Sequence, residues 1–243
     1  MKITKKYVIL FLIVLVVTIL IFICHRNYEH NYYDLLKDKM NYQLVGAEST
    51  DDVNLSVDFS FLESVNSDIY SWIYIPNTDI SYPVLQSSED KEENYYLKHN
   101  VDGSYGYPGV IFSQKRNALD YSDPVTVLYG HNMKNGSMFA GLHKYKDSEY
   151  FDEHKDIYIY TPTGQMHYRV FAGLTYDDRL ILSYYNDFEN KADILNFYEE
   201  SMEGADNMDY SVSIDEESKL LVLSTCEKES DERYLIEAVL VTD

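Results

Sequence analysis

Cysteine is nearly absent: two occur in 243 residues, Cys24 near the start and Cys226 near the end. That excludes a disulfide-stapled scaffold, and the lack of a Cys pair or a histidine cluster at ligand spacing gives no zinc site. Positive charge is scarce too. Twenty Lys and Arg stand against 41 Asp and Glu, a formal net charge of −21, and such a surface repels a phosphate backbone. Nucleic acid is therefore not an expected partner; the acidity suits a cationic or amine-bearing partner, or is simply a solvated face. The acidic stretches lack the ordered Asp-x-Asp-x-Asp-Gly pattern of a calcium loop, so no metal and no cofactor is expected. Ten glycines and five prolines form no Gly/Ser linker or low-complexity tract, and there is no internal repeat. Tryptophan occurs once, at Trp72, where it reads as core.

What the chain has, first, is a long apolar run. Tyr7 to Cys24 is broken only by Thr18. At 1.5 Å per residue, about 20 such residues cover the roughly 30 Å of a bilayer core. Lys2, Lys5 and Lys6 precede the run and the sequence after Arg26 turns acidic, which places the amino terminus in the cytoplasm and the rest outside. A cleaved signal peptide would have a shorter apolar core and a small-x-small site, which Phe22-Ile23-Cys24-His25-Arg26 does not offer. The expected organisation is a cytoplasmic tip and transmembrane anchor over 1–26, a juxtamembrane spacer over 27–65 and one catalytic domain over 66–243. Tyr32, Leu35, Leu36, Lys39 and Met40 can share a helix face within the spacer.

From residue 69 the pattern becomes short β-type runs between turn signals. They fall at 69–75, 80–86, 109–113, 125–129, 157–160, 166–175, 220–225 and 234–241. Eight strands at this spacing predict a mainly β fold, closed or nearly closed into a barrel. Helical spacing appears at 137–145 and at 191–203, where Ile194, Leu195, Tyr198 and Met202 recur on one face. The second helix sits in an insertion, Asp177 to Tyr210, that precedes the cysteine strand and is either a binding element or a surface excursion. The 25 tyrosines read mainly as half-buried strand packing.

An unpaired thiol on an exported domain needs a reason. Cys226 ends the apolar strand Leu220-Leu221-Val222-Leu223-Ser224-Thr225, where a side chain is held rigidly yet reachable; the bland reading is a buried apolar cysteine. A thiol nucleophile needs a base or a positive neighbour, since few free thiols ionise at neutral pH. Of seven histidines, six lack a turn that would fix them, His143 among them, whereas His131 follows the strand Val125–Tyr129 and Gly130 at a strand-to-loop junction. Arg233 begins the next strand beyond the acidic loop Glu227–Glu232. An antiparallel pairing would bring it close to Cys226, as an oxyanion-binding fork or as a plain surface ion pair with Asp231 or Glu232.

At these residues the sequence resembles the class B sortases. The resemblance is carried by Leu-Ser-Thr-Cys at 223–226, by Tyr-Gly-His-Asn-Met at 129–133 with Gly136-Ser137-Met138-Phe139, and by Trp72-Ile73-Tyr74-Ile75-Pro76 with Tyr82-Pro83-Val84-Leu85-Gln86. Tyr95-Tyr96-Leu97 and Gly109-Val110-Ile111-Phe112 add to it. It implies an eight-stranded sortase-type barrel with an N-terminal helix and a helix-bearing insertion before the cysteine strand. It also implies a membrane-anchored cysteine transpeptidase with Cys226 as nucleophile, His131 as acid and base, and Arg233 holding the oxyanion or the substrate backbone. Such an enzyme cleaves the carboxy-terminal sorting signal of a surface protein after Thr, through a thioacyl intermediate, and passes it to a peptidoglycan precursor or cross-bridge amine. Ser224, Thr225 and Asn132 are candidate substrate-binding residues. Thr225 can instead pack within its strand, and Asn132 can orient His131 or merely cap a turn. The loop from Cys226 to Arg233 is shorter and more acidic than the family leads one to expect.

Three rival readings remain: a sortase that joins pilin subunits through a Lys side chain, a hydrolytic cysteine peptidase, and a non-catalytic membrane-tethered wall-binding β-domain.

Overall fold

A computed structural model describes residues 5–41, 57–227 and 231–242. The chain divides into two compact units, Met1–Ser56 and Val57–Asp243. In the first, helix α1 runs from Lys5 to Asn41. Its stretch Lys6–Cys24 is 19 residues of mean hydropathy 3.4, with every apolar side chain open to its surroundings. An all-round apolar helix of that length has no polar face to turn to water, which is what a bilayer-crossing segment requires. Part of the expected spacer, residues 42–56, lies outside the described residues.

The second unit opens with helix α2 (Phe59–Val65), capped by the Asp58 carboxylate, which accepts from the Phe61 N–H at 2.9 Å. Among the described residues nine strands follow: β1 (Ile69–Tyr74), β2 (Ser81–Gln86), β3 (Ile111–Ser113), β4 (Val125–Tyr129), β5 (Asp156–Thr161), β6 (Gly164–Tyr176), β7 (Ala205–Met208), β8 (Leu220–Cys226) and β9 (Arg233–Leu240). Their order is β5-β1-β2-β3-β4-β8-β9-β6-β7, and β5 also pairs with β6. That last pairing closes eight strands into a barrel. The 13-residue β6 makes closure possible: one edge carries β9, and the other carries β5 over Gly164–Arg169 and β7 over Ala172–Leu174.

The eight expected strands are all present, shifted by a residue or two at their ends. The added β7, Ala-Asp-Asn-Met, has none of the β-branched alternation that announces a strand. The helical signal at 137–145 is a 3-10 helix, Phe139–Lys146, followed by helix α3 (Ser148–Glu153).

Two faces of the sheet are buried where the cysteine strand lies. The inner face fills the barrel. The outer face is covered by the insertion, whose helices α4 (Ile181–Tyr184) and α5 (Ala192–Gly204) press Ile181, Leu182, Ile194 and Phe197 against Leu220, Val222 and Leu235. This explains why β8 reads as an unbroken apolar run instead of an alternation: six of its seven residues are buried, and only Cys226 emerges.

Candidate active site

Strand pairing assembles the site. β4 and β8 run parallel, with Tyr129 opposite Ser224 and Gly130 N–H donating to the Ser224 carbonyl at 3.1 Å. The next residue on that path is His131. On its other edge β8 runs antiparallel to β9, with Cys226 opposite Arg233. The Glu227 N–H donates to the Glu232 carbonyl at 2.9 Å, so Cys226 and Arg233 form the adjacent non-hydrogen-bonded pair, the kind whose side chains stand closest, with Cβ atoms about 5 Å apart. All three sequence-selected residues line one cavity of about 210 Å³ with Tyr129, Leu97 and Leu235. Its roof is Asp178–Ile181, the start of the insertion.

Each of the three is held differently. Cys226 is exposed at the strand end, a free thiol. His131 Nε2 lies 2.7 Å from the Leu97 carbonyl oxygen. A carbonyl only accepts, so Nε2 carries a proton and Nδ1 is the nitrogen available to exchange one with a reactant. Tyr107 meets the same ring edge-on, centroids 5.1 Å apart. Gly130 is required just before it, because a Cβ there would sit 2.5 Å from Ile111 Cδ1 and 2.7 Å from the Phe139 ring. Arg233 donates from Nη1 to the carbonyls of Asp231 (2.8 Å) and Glu232 (3.2 Å), bracing its own hairpin. The guanidinium has further donors on Nε and Nη2. Its charge is felt at Tyr129, whose phenol is pushed up by burial and drawn back by Arg233.

The candidate binding residues separate by face. Ser224 shares the cavity face with Cys226, is buried and lines the cavity. Thr225 also borders it, but its side chain lies on the opposite face of the strand across from Tyr234, 2% exposed, with no hydrogen bond to its Oγ1 among the described residues. The Asn132 side chain is engaged elsewhere: Nδ2 donates to the Cys226 carbonyl at 2.9 Å and lies 2.9 Å from His143 Nε2.

His143 itself is the residue that sequence context passed over. It has no turn to mark it, yet the 3-10 helix Phe139–Lys146 sets its Nε2 3.1 Å from the Cys226 carbonyl oxygen and stacks its ring on Tyr234.

The roof is pinned as firmly as the floor. Arg179 donates to Asp177 Oδ1 (2.8 Å) and to Glu200 of α5, and lies between the rings of Tyr176 and Tyr184, 4.6 and 4.4 Å from their centroids. Tyr176 and Tyr185 donate to the other Glu200 oxygen at 3.2 and 2.6 Å. The insertion is therefore part of the cavity and not a surface excursion.

Residues 73–241 match the family described as the sortase domain. Sortase B of Listeria monocytogenes serovar 1/2a is 32% identical over 232 residues, 88% of this chain and 87% of the relative. A Staphylococcus aureus sortase B–substrate complex superposes with TM-score 0.67 at 29% identity, over 76% of this chain and 84% of the other. A sortase B complexed with triglycine superposes with TM-score 0.75 at 26% identity, over 89% of this chain and 99% of the other. The chain belongs to the sortases, class B, and is a cysteine transpeptidase.

Proposed function

We propose that Cys226 is the nucleophile, His131 the acid and base, and Arg233 the oxyanion-stabilising group of a transpeptidase that works on carboxy-terminal sorting signals. The observation that carries this is the facing pair Cys226 and Arg233 at the mouth of a cavity that His131 also lines. The Cys226 thiolate attacks the carbonyl carbon after a Thr, forming a C–S bond while the carbonyl electrons move to oxygen beside the Arg233 guanidinium. Collapse of that intermediate breaks the C–N bond, and His131 gives its proton to the departing amine, leaving a thioester on Cys226. An incoming amine then loses a proton to His131, attacks the thioester carbon and releases the thiolate. Ser224 and Thr225 border the bound signal. The substrate-bound and triglycine-bound relatives support a peptide donor and an amine acceptor, here a surface protein and a cell-wall peptide.

In the cell, residues 1–26 anchor the enzyme once through the membrane with the amino terminus cytoplasmic, 27–65 space it from the surface, and 66–243 act outside. The apolar helix Lys6–Cys24 and the lysines before it support this orientation.

The test uses the full chain in detergent micelles, a quenched peptide bearing an Asn-Pro-x-Thr-x signal, and mass spectrometry with and without triglycine. A thioacyl adduct on Cys226, absent in Cys226→Ala and resolved faster by triglycine, is the expected result. Faster resolution by a Lys side chain than by triglycine would move the acceptor to a pilin subunit. Failure of any signal in a panel to acylate the folded protein would overturn the reading.

A further inference from the structure

The nucleophile's own carbonyl lies at a break in the sheet. Because Cys226 and Arg233 are a non-hydrogen-bonded pair, the Cys226 carbonyl points away from β9, toward the β4 edge. There the β4 path supplies a backbone donor as far as Gly130 and then turns off, with Asn132 bridging to Met138. The donor that a continued ladder would provide is replaced by side chains. Asn132 Nδ2 donates to the Cys226 oxygen at 2.9 Å, and His143 Nε2 stands 3.1 Å from that oxygen and 2.9 Å from Nδ2.

Hydrogen-bond chemistry ties the ring to this carbonyl whichever nitrogen carries its proton. The carbonyl must face the amide nitrogen of Asn132 and not its oxygen, which uses one Nδ2 proton. With a proton on Nε2, His143 is a second donor to the Cys226 oxygen. With Nε2 bare, it accepts the other Nδ2 proton and holds the amide in place. Nδ1 faces Glu227 Oε1 at 3.7 Å, and Glu227 in turn receives Lys146. The ring is stacked on Tyr234, centroids 5.2 Å apart, and Lys146 Nζ stands 4.8 Å from the centroid of the same tyrosine, so the imidazole has little freedom to swing away.

We propose that His143 is a positioning residue for the nucleophile: with Asn132 it fixes the carbonyl of Cys226, and with that the direction of the thiol. On its β4 edge, among the described residues, the strand has no ladder bond beyond Gly130 to hold the end that carries the thiol, and an ångström of misplacement is enough to slow a reaction that depends on alignment. The inference rests on Cys226 being the nucleophile.

The experiment measures kcat and KM for peptide transfer to triglycine, with mass mapping of the Cys226 adduct, in full-length wild type, His143→Gln and His143→Phe. Gln offers an amide donor and acceptor where Nε2 stood; Phe keeps the stack on Tyr234 and offers neither. His143→Phe should lose about ten-fold in kcat at nearly constant KM, and His143→Gln should recover most of it. A wild-type kcat in His143→Phe would reduce the ring to packing and overturn the proposal. So would equal losses in the two variants. If wild type forms no Cys226 adduct, the nucleophile assignment has failed and the proposal falls with it; a normal adduct with unaltered variants rejects the proposal alone.

Discussion

Arg233 stands opposite Cys226 on the neighbouring strand while its Nη1 braces the hairpin that joins them, through the carbonyls of Asp231 and Glu232. One guanidinium thus holds the turn and still presents donors to the cavity. A lysine at the position would keep the charge but carry all three of its donors on one nitrogen, which cannot brace the turn and reach into the cavity at once. Arg233→Lys should therefore lower kcat by about 10²-fold with a small change in KM, the size expected for losing one oxyanion donor. Steady-state transpeptidation checks this, and a Lys variant within a few-fold of wild type would reassign Arg233 to the hairpin alone.

His131 depends on a close approach by a second glycine. Gly109 has φ +70°, and a Cβ there would lie 3.1 Å from His131 Cδ2 and 3.4 Å from the Tyr96 carbonyl oxygen. Gly109→Ala should cost about 1–2 kcal/mol for the left-handed backbone and the contact together, and should displace the imidazole. The expected readout is a lower melting temperature with a kcat loss larger than the stability change would produce at assay temperature. A variant that melts early but turns over normally would show that the ring has room to give.

The strand-end positions of Cys226, His131 and Arg233 were legible because each borders an apolar run, and strand ends are read from periodicity; the roles proposed for them come from the family resemblance. His143 was not legible. Its link to Cys226 spans the fold and depends on a 3-10 helix docking beside β8 and β9, which no local pattern encodes. Glu237 shows the same gap from the other side. In Arg-Tyr-Leu-Ile-Glu-Ala-Val-Leu it is a lone charge in an apolar run, a residue type that is almost never fully buried, yet α5 covers its face of the strand and the residue is fully buried. The barrel itself came through because its strands are separated by clear turn residues, whereas β7 is held by its register on β6 and not by its composition.

The cavity roof should behave as a binding element. Arg179 joins Asp177 to Glu200 of α5 between two tyrosine rings, so its removal loosens Asp178–Leu180, while Ile181 stays packed in the core. Arg179→Ala should raise KM for the signal peptide by about ten-fold, as ordering of the roof is then left to the substrate, while kcat changes less. Glu200→Gln should follow in the same direction. A fall in kcat with KM unaltered would place Arg179 in the chemistry instead.

Glu237 makes stability depend on pH in the unusual direction for a carboxylate. It lies between Val222 of β8 and Ala172 of β6, facing α5, and neither carboxyl oxygen has a hydrogen-bond partner among the described residues. Burial pushes its pKa up to about 8, Ser201 works against the shift and Glu200 adds to it. The Ser201 hydroxyl gives its proton to the Phe197 carbonyl at 2.9 Å. Between the unfolded value of 4.5 and about 8 the folded chain keeps a proton that the unfolded chain has released. Stability from this group is therefore fully present below the lower value and falls as pH rises across that window, by about 1.4 kcal/mol per pH unit. Glu237→Gln is neutral at every pH and should flatten the decline, raising the melting temperature markedly at pH 8 and little at pH 5. Melting curves of the two proteins from pH 4 to pH 9 decide it, and parallel curves would mean that the carboxyl finds a charged, hydrated arrangement beneath α5.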